Sequence, residues 1–159
     1  EGEVQLGTFL AFFALEQIET FQTVFRGTAG DDRYDFGHIA TVLPGPAVAG
    51  FIDLRTGGGD DTVMLGDAAI GAGTANIVLG EAGADRLLGG AQADSLLGGA
   101  DADTLAGGGG DDTLHGEAGD DFLVGGANLD SLRGGAGNDT LVGGDGADTL
   151  DGGDDADSL

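Results

Sequence analysis

From Gly80 onward the chain is written in nine-residue units, which open at Gly80, Gly89, Gly98, Gly107, Gly116, Gly125, Gly134, Gly143 and Gly152. The sixth slot of every unit is Asp: Asp85, Asp94, Asp103, Asp112, Asp121, Asp130, Asp139, Asp148 and Asp157. The eighth is always Leu, from Leu87 and Leu96 through to Leu150 and Leu159. A fixed period of this kind marks an array of supersecondary units, each too small to bury its apolar face without stacking on its neighbours. Few folds remain open to such a chain. Collagen is excluded, because Gly does not recur every third residue and only two Pro are present. With 35 Gly in 159 residues, composition alone points to a disordered, low-complexity chain. The phase-locked Leu argues against that reading, since a flexible linker has no reason to place an apolar side chain at every ninth position.

Within a unit, the first six residues read as loop and the last three as a minimal strand. Strand alternation then sends slot eight inward and slots seven and nine outward. Slots one and two are rich in Gly, as expected where the backbone needs positive φ or close approach.

The charge balance narrows the partners. The chain carries 29 Asp and Glu against five basic residues, all Arg, for a net charge of −24. Nucleic acid calls for a basic surface, so it is excluded as a partner. Adsorption to an anionic membrane is excluded for the same reason. From residue 80 onward 18 acidic residues face only Arg86 and Arg133, leaving −16, and self-repulsion of that size opposes a compact state until counter-charge arrives. There is no Cys, hence no disulfide and no thiolate metal site. No segment approaches the run of about 20 apolar residues that a membrane helix needs, so no membrane insertion is expected. The chain opens on Glu1 and Glu3 where a signal peptide would be basic, and the last unit stops one residue short. Both ends therefore read as cut, and the chain as a piece of a longer protein.

Residues 134–142 (GGAGNDTLV) and 107–115 (GGGGDDTLH) match the pattern GGxGxDxUx, with U a large apolar residue, at every fixed slot. The array resembles the RTX family of calcium-binding nonapeptide repeats. The likeness reaches back in scattered form to residues 27–35 (GTAGDDRYD), 56–64 (TGGGDDTVM) and 71–79, where Thr74 and Asn76 stand in slots four and six. It implies an all-β fold, a right-handed parallel β-roll with two units per coil, so that unit n stacks on unit n+2. Two columns of loops result. One holds Asp85, Asp103, Asp121, Asp139 and Asp157, the other Asp94, Asp112, Asp130 and Asp148. The resemblance further implies that Ca²⁺ sits between neighbouring loops of a column, shared by two slot-six Asp and completed by loop carbonyls. Asp32 and Asp61 hold the same slot in the scattered units and join the candidates. Five loops give four steps and four give three, so up to about seven ions fit; seven dications would bring the array from −16 to −2. The likeness also implies a bacterial protein exported unfolded by a type I-like route, ending secreted or at the cell surface.

Two domains are expected: residues 1–79, an aromatic-rich β cap with divergent repeats, and residues 80–159, the β-roll. Residues 1–55 contain seven of the eight Phe and both Pro. There, residues 17–25 and 48–54 read as strands, while residues 6–18 suit either a strand or a short helix. A solenoid exposes its core at a terminal coil unless something covers it, which is the role expected of the Phe cluster. Sorting outward slots by column sets Leu88, Ala106, Val124 and Val142, with Phe122 beside them, against Leu97, His115, Arg133 and Asp151. The first set is a candidate contact face toward other parts of a longer parent protein or a neighbouring subunit. Among the loops, the one around Gln92 is expected to hold its ion least well, because Gln tolerates left-handed backbone at greater cost than Asp or Asn.

No catalytic constellation can be assembled. His38 and His115 are the only histidines, and His115 falls in an outward slot. Three functions stay open. The first is a calcium-binding module that folds outside the cell and stabilises or presents a larger secreted protein. The second is a structural or adhesive element of a calcium-dependent surface layer or fibre, and the third a module of a secreted polysaccharide-modifying enzyme or protease.

Overall fold

A computed structural model describes residues 2–3, 20–35, 49–66 and 75–159, and within them every regular element is a strand. In chain order these are β1 (Gly2–Glu3), β2 (Thr20–Arg26), β3 (Asp32–Asp35), β4 (Ala49–Gly58), β5 (Thr62–Gly66), β6 (Asn76–Ala82) and β7 (Arg86–Gly90). There follow β8 (Asp94–Ala100), β9 (Thr104–Gly109), β10 (Thr113–Ala118), β11 (Phe122–Ala127), β12 (Ser131–Ala136), β13 (Thr140–Asp145) and β14 (Thr149–Asp154). Odd strands form one seven-stranded sheet and even strands another. All pairing is parallel, as in β9, β11 and β13 and in β10, β12 and β14. Each coil thus lays down one strand on each sheet, with a turn at either side. The fold is a parallel β-roll in which Leu105 pairs with Leu123 and Leu114 with Leu132, a step of two units.

The period explains the core. Slot eight points into the space between the sheets, so Leu87, Leu105 and Leu123 from one sheet meet Leu96, Leu114 and Leu132 from the other, all at most 1% exposed. Burying each such side chain is worth about 1.5–3 kcal/mol. Slots seven and nine face out, as alternation demands.

Two features differ from the sequence-based expectation. The strands are longer than three residues: β9 to β14 each run from slot seven through slot three of the next unit, so the ladder extends into the Gly-rich segment. Positive φ falls at slots two and four, not one and two, as at Gly99 (128°) and Asp101 (78°), or Gly126 (123°) and Asn128 (86°).

The two sheets also continue across residue 80, where composition changes. β4 pairs with β6 and β6 with β8, while β3 pairs with β5 and β5 with β7. The described strands before residue 80 are earlier coils of the same roll, with Phe25 packed against a core that includes Tyr34, Ile52, Leu54, Val63 and Leu65. The strands expected near residues 17–25 and 48–54 are β2 and β4. Residues 6–18, Phe9, Phe12, Phe13, Phe36, His38 and Thr74 lie outside the described residues.

Candidate metal centre

The turns stack as the two columns require, and the slot-six Asp residues form a ladder within each. In the first column the backbone N–H of Asp85 donates to Asp103 Oδ1 at 2.8 Å, Asp103 to Asp121 at 2.8 Å, Asp121 to Asp139 at 2.8 Å, and Asp139 to Asp157 at 3.0 Å. In the second, Asp94 donates to Asp112 at 2.8 Å, Asp112 to Asp130 at 2.9 Å and Asp130 to Asp148 at 3.0 Å. One carboxylate oxygen of each is therefore committed to the preceding coil.

The other oxygen is not. Oδ2 of Asp61, Asp85, Asp94, Asp103, Asp112, Asp121, Asp130 and Asp139 is buried with no hydrogen-bond partner. A buried, unpartnered carboxylate oxygen is costly, and here it recurs at every step of two columns.

From Asp85 to Asp139, each such oxygen lies against a slot-one Gly that has no room for a side chain. A Cβ built on slot-one Gly125 would lie 2.5 Å from Asp130 Oδ2 and 2.7 Å from the Gly143 carbonyl oxygen of the next coil. On Gly98, Gly107, Gly116 or Gly134 it would collide with the carboxylate of the Asp five residues on. Slot one is Gly because no side chain fits against the Asp carboxylate, and not for its φ. The oxygens that meet at slot one, a carboxylate oxygen and backbone carbonyls, are of the kind a hard dication takes. Among the described residues no three Asp, Glu, His or Cys side chains converge as a metal-holding group, so carbonyls or waters complete any shell.

Electrostatics agree with this donor set. Burial, with lesser contributions from neighbouring Asp charges, pushes the carboxyls of Asp103 and Asp112 up to about 7 and that of Asp85 up to about 6. Burial likewise raises Asp61, Asp94, Asp121, Asp130 and Asp139. These groups resist negative charge in the absence of a cation. A bound dication inverts that preference.

The remaining candidates differ in detail. Asp61 continues the first column, its N–H on Asp85 Oδ1 at 2.8 Å. Asp32 donates its N–H to Asp61 Oδ1 at 2.6 Å, but its own Oδ2 is held by the Thr28 N–H at 2.7 Å and the Thr28 hydroxyl at 3.0 Å. The turn at Gln92 departs from the others: neither Gly90 nor Gln92 adopts the positive φ found at slots two and four of the other eight array units.

Sequence reasoning missed a second, outer ladder at slot five. The Oδ1 atoms of Asp60, Asp111 and Asp120 accept the N–H groups of Ala84 (2.9 Å), Leu129 (3.2 Å) and Asn138 (2.8 Å) of the following coil. The Asn138 contacts hold the Asp120 carboxyl below its usual range. These acids are exposed and satisfied, whereas slot six is buried and unsatisfied. Recurrence of an acid at slot five in only some units was the one available signal.

On the outer face of the odd-strand sheet, Leu88, Ala106, Val124 and Val142 stand in register, with Phe122 beside them. Phe122 and Val142 are 43% and 44% exposed. The even-strand sheet carries Leu97, His115, Arg133 and Asp151 in the corresponding row, and Arg133 lies 3.8 Å from Asp151.

Neither a curated protein nor a solved structure matches the chain. The family model of the RTX calcium-binding nonapeptide repeat (4 copies) matches at residues 70–105, 97–132 and 125–159. Those matches run without a gap from residue 70 to the last residue, more than half of the chain, and end on the units whose stacked Asp residues are described above. This protein belongs to the RTX calcium-binding nonapeptide repeat family.

Proposed function

We propose that the β-roll is a calcium-dependent folding module, which orders outside the cell and stabilises or presents a larger secreted protein. The carrying observation is the row of buried Oδ2 atoms without partners. In this reading Asp85, Asp94, Asp103, Asp112, Asp121, Asp130, Asp139, Asp148 and Asp157 supply carboxylate oxygens to Ca²⁺ and the turns supply carbonyls. The ion neutralises charge that otherwise forces the coils apart. The family is typical of secreted bacterial proteins, and millimolar calcium outside the cell would switch the module on after export. Among the described residues no helix is long and apolar enough to cross a membrane. The RTX repeat is a structural calcium-binding fold, and we read any catalysis as belonging to other parts of the parent protein.

The test is circular dichroism in chelator and then in millimolar Ca²⁺. A large gain of β signal on adding calcium is expected, saturating at about seven ions per chain in residues 80–159. A chain whose spectrum ignores both chelator and calcium would sink the reading.

A second reading, a structural or adhesive element of a surface layer or fibre, draws on the apolar row from Leu88 to Val142. A sheet face of this kind suits packing against a neighbouring subunit. Loss of that association on altering the row, with calcium binding intact, would support it.

A further inference from the structure

At the N-terminal end of both columns, positions that are Gly or Asp in the array carry other side chains. Slot one is Gly80, Gly98, Gly116, Gly134 and Gly152 down the first column, yet one coil earlier it is Thr56, fully buried. The Thr56 hydroxyl donates to the Gly80 carbonyl oxygen at 2.7 Å. That carbonyl is the counterpart of the Gly98 oxygen, which a Cβ on Gly80 would strike. Asp61 Oδ2 has no hydrogen-bond partner, as in later coils, so what sets this step apart is the Thr56 side chain in place of Gly. One step earlier again, Thr28 satisfies Asp32 Oδ2 through both its N–H and its hydroxyl.

The second column changes in parallel. Its slot six runs Asp130, Asp112, Asp94, then Asn76, which is 8% exposed. The Asn76 amide nitrogen donates to Asp94 Oδ1 at 2.6 Å and its oxygen accepts the Ile52 N–H at 3.1 Å, so Asn76 has no second, unpartnered carboxylate oxygen to offer a cation. In the coil before, register places Ile52 opposite Asn76, and Leu65 opposite Gly89 at slot one. Both are 3% exposed and belong to the core. An apolar pair stands where the later coils have Gly and Asp.

We propose that the ion columns end at the steps spanned by Thr56 and Asn76. The coils built from β3 to β6 are closed by side chains, take no calcium, and form a metal-independent seed on which the calcium-requiring coils order. Every non-consensus residue at these positions supplies either a hydrogen-bond donor or apolar volume where the array has Gly or an Asp with an unpartnered oxygen. Strands β4 and β5 also bury two apolar residues each, Ile52 with Leu54 and Val63 with Leu65, where an array strand buries one Leu. Burial without charge needs no counter-ion. This inference rests on the reading of the Asp columns as calcium sites.

Two measurements on the full chain test it. Hydrogen–deuterium exchange in excess chelator should leave the amides of β4, β5 and β6 exchanging about a hundredfold more slowly than those of β9 to β14. Addition of Ca²⁺ should then protect both regions. Equal, rapid exchange of β4–β6 and β9–β14 in chelator overturns the proposal. Counting bound Ca²⁺ by native mass spectrometry should give one more ion for Asn76→Asp than for the natural chain, and one more for Thr56→Gly. If either variant is too unstable to count, the other and the exchange experiment decide. Ion counts unchanged in both variants overturn it. A natural chain that binds no calcium at all refutes the calcium reading itself, an outcome distinct from a calcium-binding chain with unchanged counts.

Discussion

Asp121 donates its backbone N–H to Asp139 Oδ1 at 2.8 Å while its own Oδ1 accepts the N–H of Asp103 at 2.8 Å. Each inner Asp is thus a link held from both sides. Asp157, by contrast, accepts from Asp139 and marks the last described rung. Truncating an inner link removes a charge-assisted bond worth about 1.5–3 kcal/mol and strips a ligand from two proposed ions. Asp121→Ala should raise the calcium midpoint of folding about tenfold more than Asp157→Ala. Equal midpoints in calcium titrations followed by circular dichroism would contradict the stacked columns.

Protons should partly replace calcium. The carboxyls of Asp85, Asp103 and Asp112 titrate at about 6 to 7 in the folded chain against an ordinary value of 3.8. The folded coil therefore binds protons more tightly than the unfolded chain. The stability these groups lend is full below about pH 4 and is lost as pH rises through 6 to 7. In chelator, β structure should increase as pH falls from about 8 to about 5. Over the same range the calcium midpoint should rise, because protons compete for Oδ2. A metal-free spectrum that is flat across this window, or a calcium midpoint that does not move, would refute the assignment.

Glycine should matter by slot. A Cβ at Gly98 meets the Asp103 carboxylate, whereas a Cβ at Gly30 meets nothing within 4 Å. Gly98→Ala should cost about 1–3 kcal/mol of calcium-bound stability through overpacking against that carboxylate, and Gly30→Ala less than about 0.5 kcal/mol. Chemical denaturation at saturating Ca²⁺ measures both. Similar losses for the two would mean that Gly serves only backbone freedom here.

The outer row offers a test of register. Phe122 is 43% exposed while its neighbour Leu123 is fully buried. Phe122→Ser combined with Val124→Asp should leave calcium-induced folding within about 0.5 kcal/mol of the natural chain, since both side chains point away from the Leu core. Association through this face should disappear in pull-down or sedimentation against the parent protein. If the double variant fails to fold in calcium, slots seven and nine are not the outward ones.

How much of this was legible in the residues follows from what repeats. Asp at slot six and Leu at slot eight recur without exception, and periodicity alone placed Leu114 inside and Asp112 in a turn. Pairing of Leu114 with Leu132, two units on, came from family likeness, because a nine-residue period does not say how many units close one coil. The direction of the Asp ladder was not legible, since it depends on which carboxylate oxygen meets which N–H. Nor was the role of slot one: Gly80 reads as a flexible turn residue, yet stacking brings the Asp85 carboxylate and the Gly98 carbonyl so close that no side chain fits. Residues before 80 were harder still. Thr56 and Asn76 look like decay of the pattern, and only register shows Thr56 beside Gly80 and Asn76 beside Asp94.

The step of 18 residues between paired positions, as in His115 and Arg133, carries a consequence for how such a chain can change in length. Adding or deleting a pair of nonapeptides restores every downstream strand to its own sheet. Adding one moves all of them across: Phe122 and Val124 would cross to the sheet of His115, and each downstream Asp to the other column. The core would survive, because slot eight is Leu on both sides, but the two faces of the roll would exchange identities from that point on. A parity rule follows, in which even changes of unit number preserve what the surface presents and odd ones splice the front of the molecule onto its back.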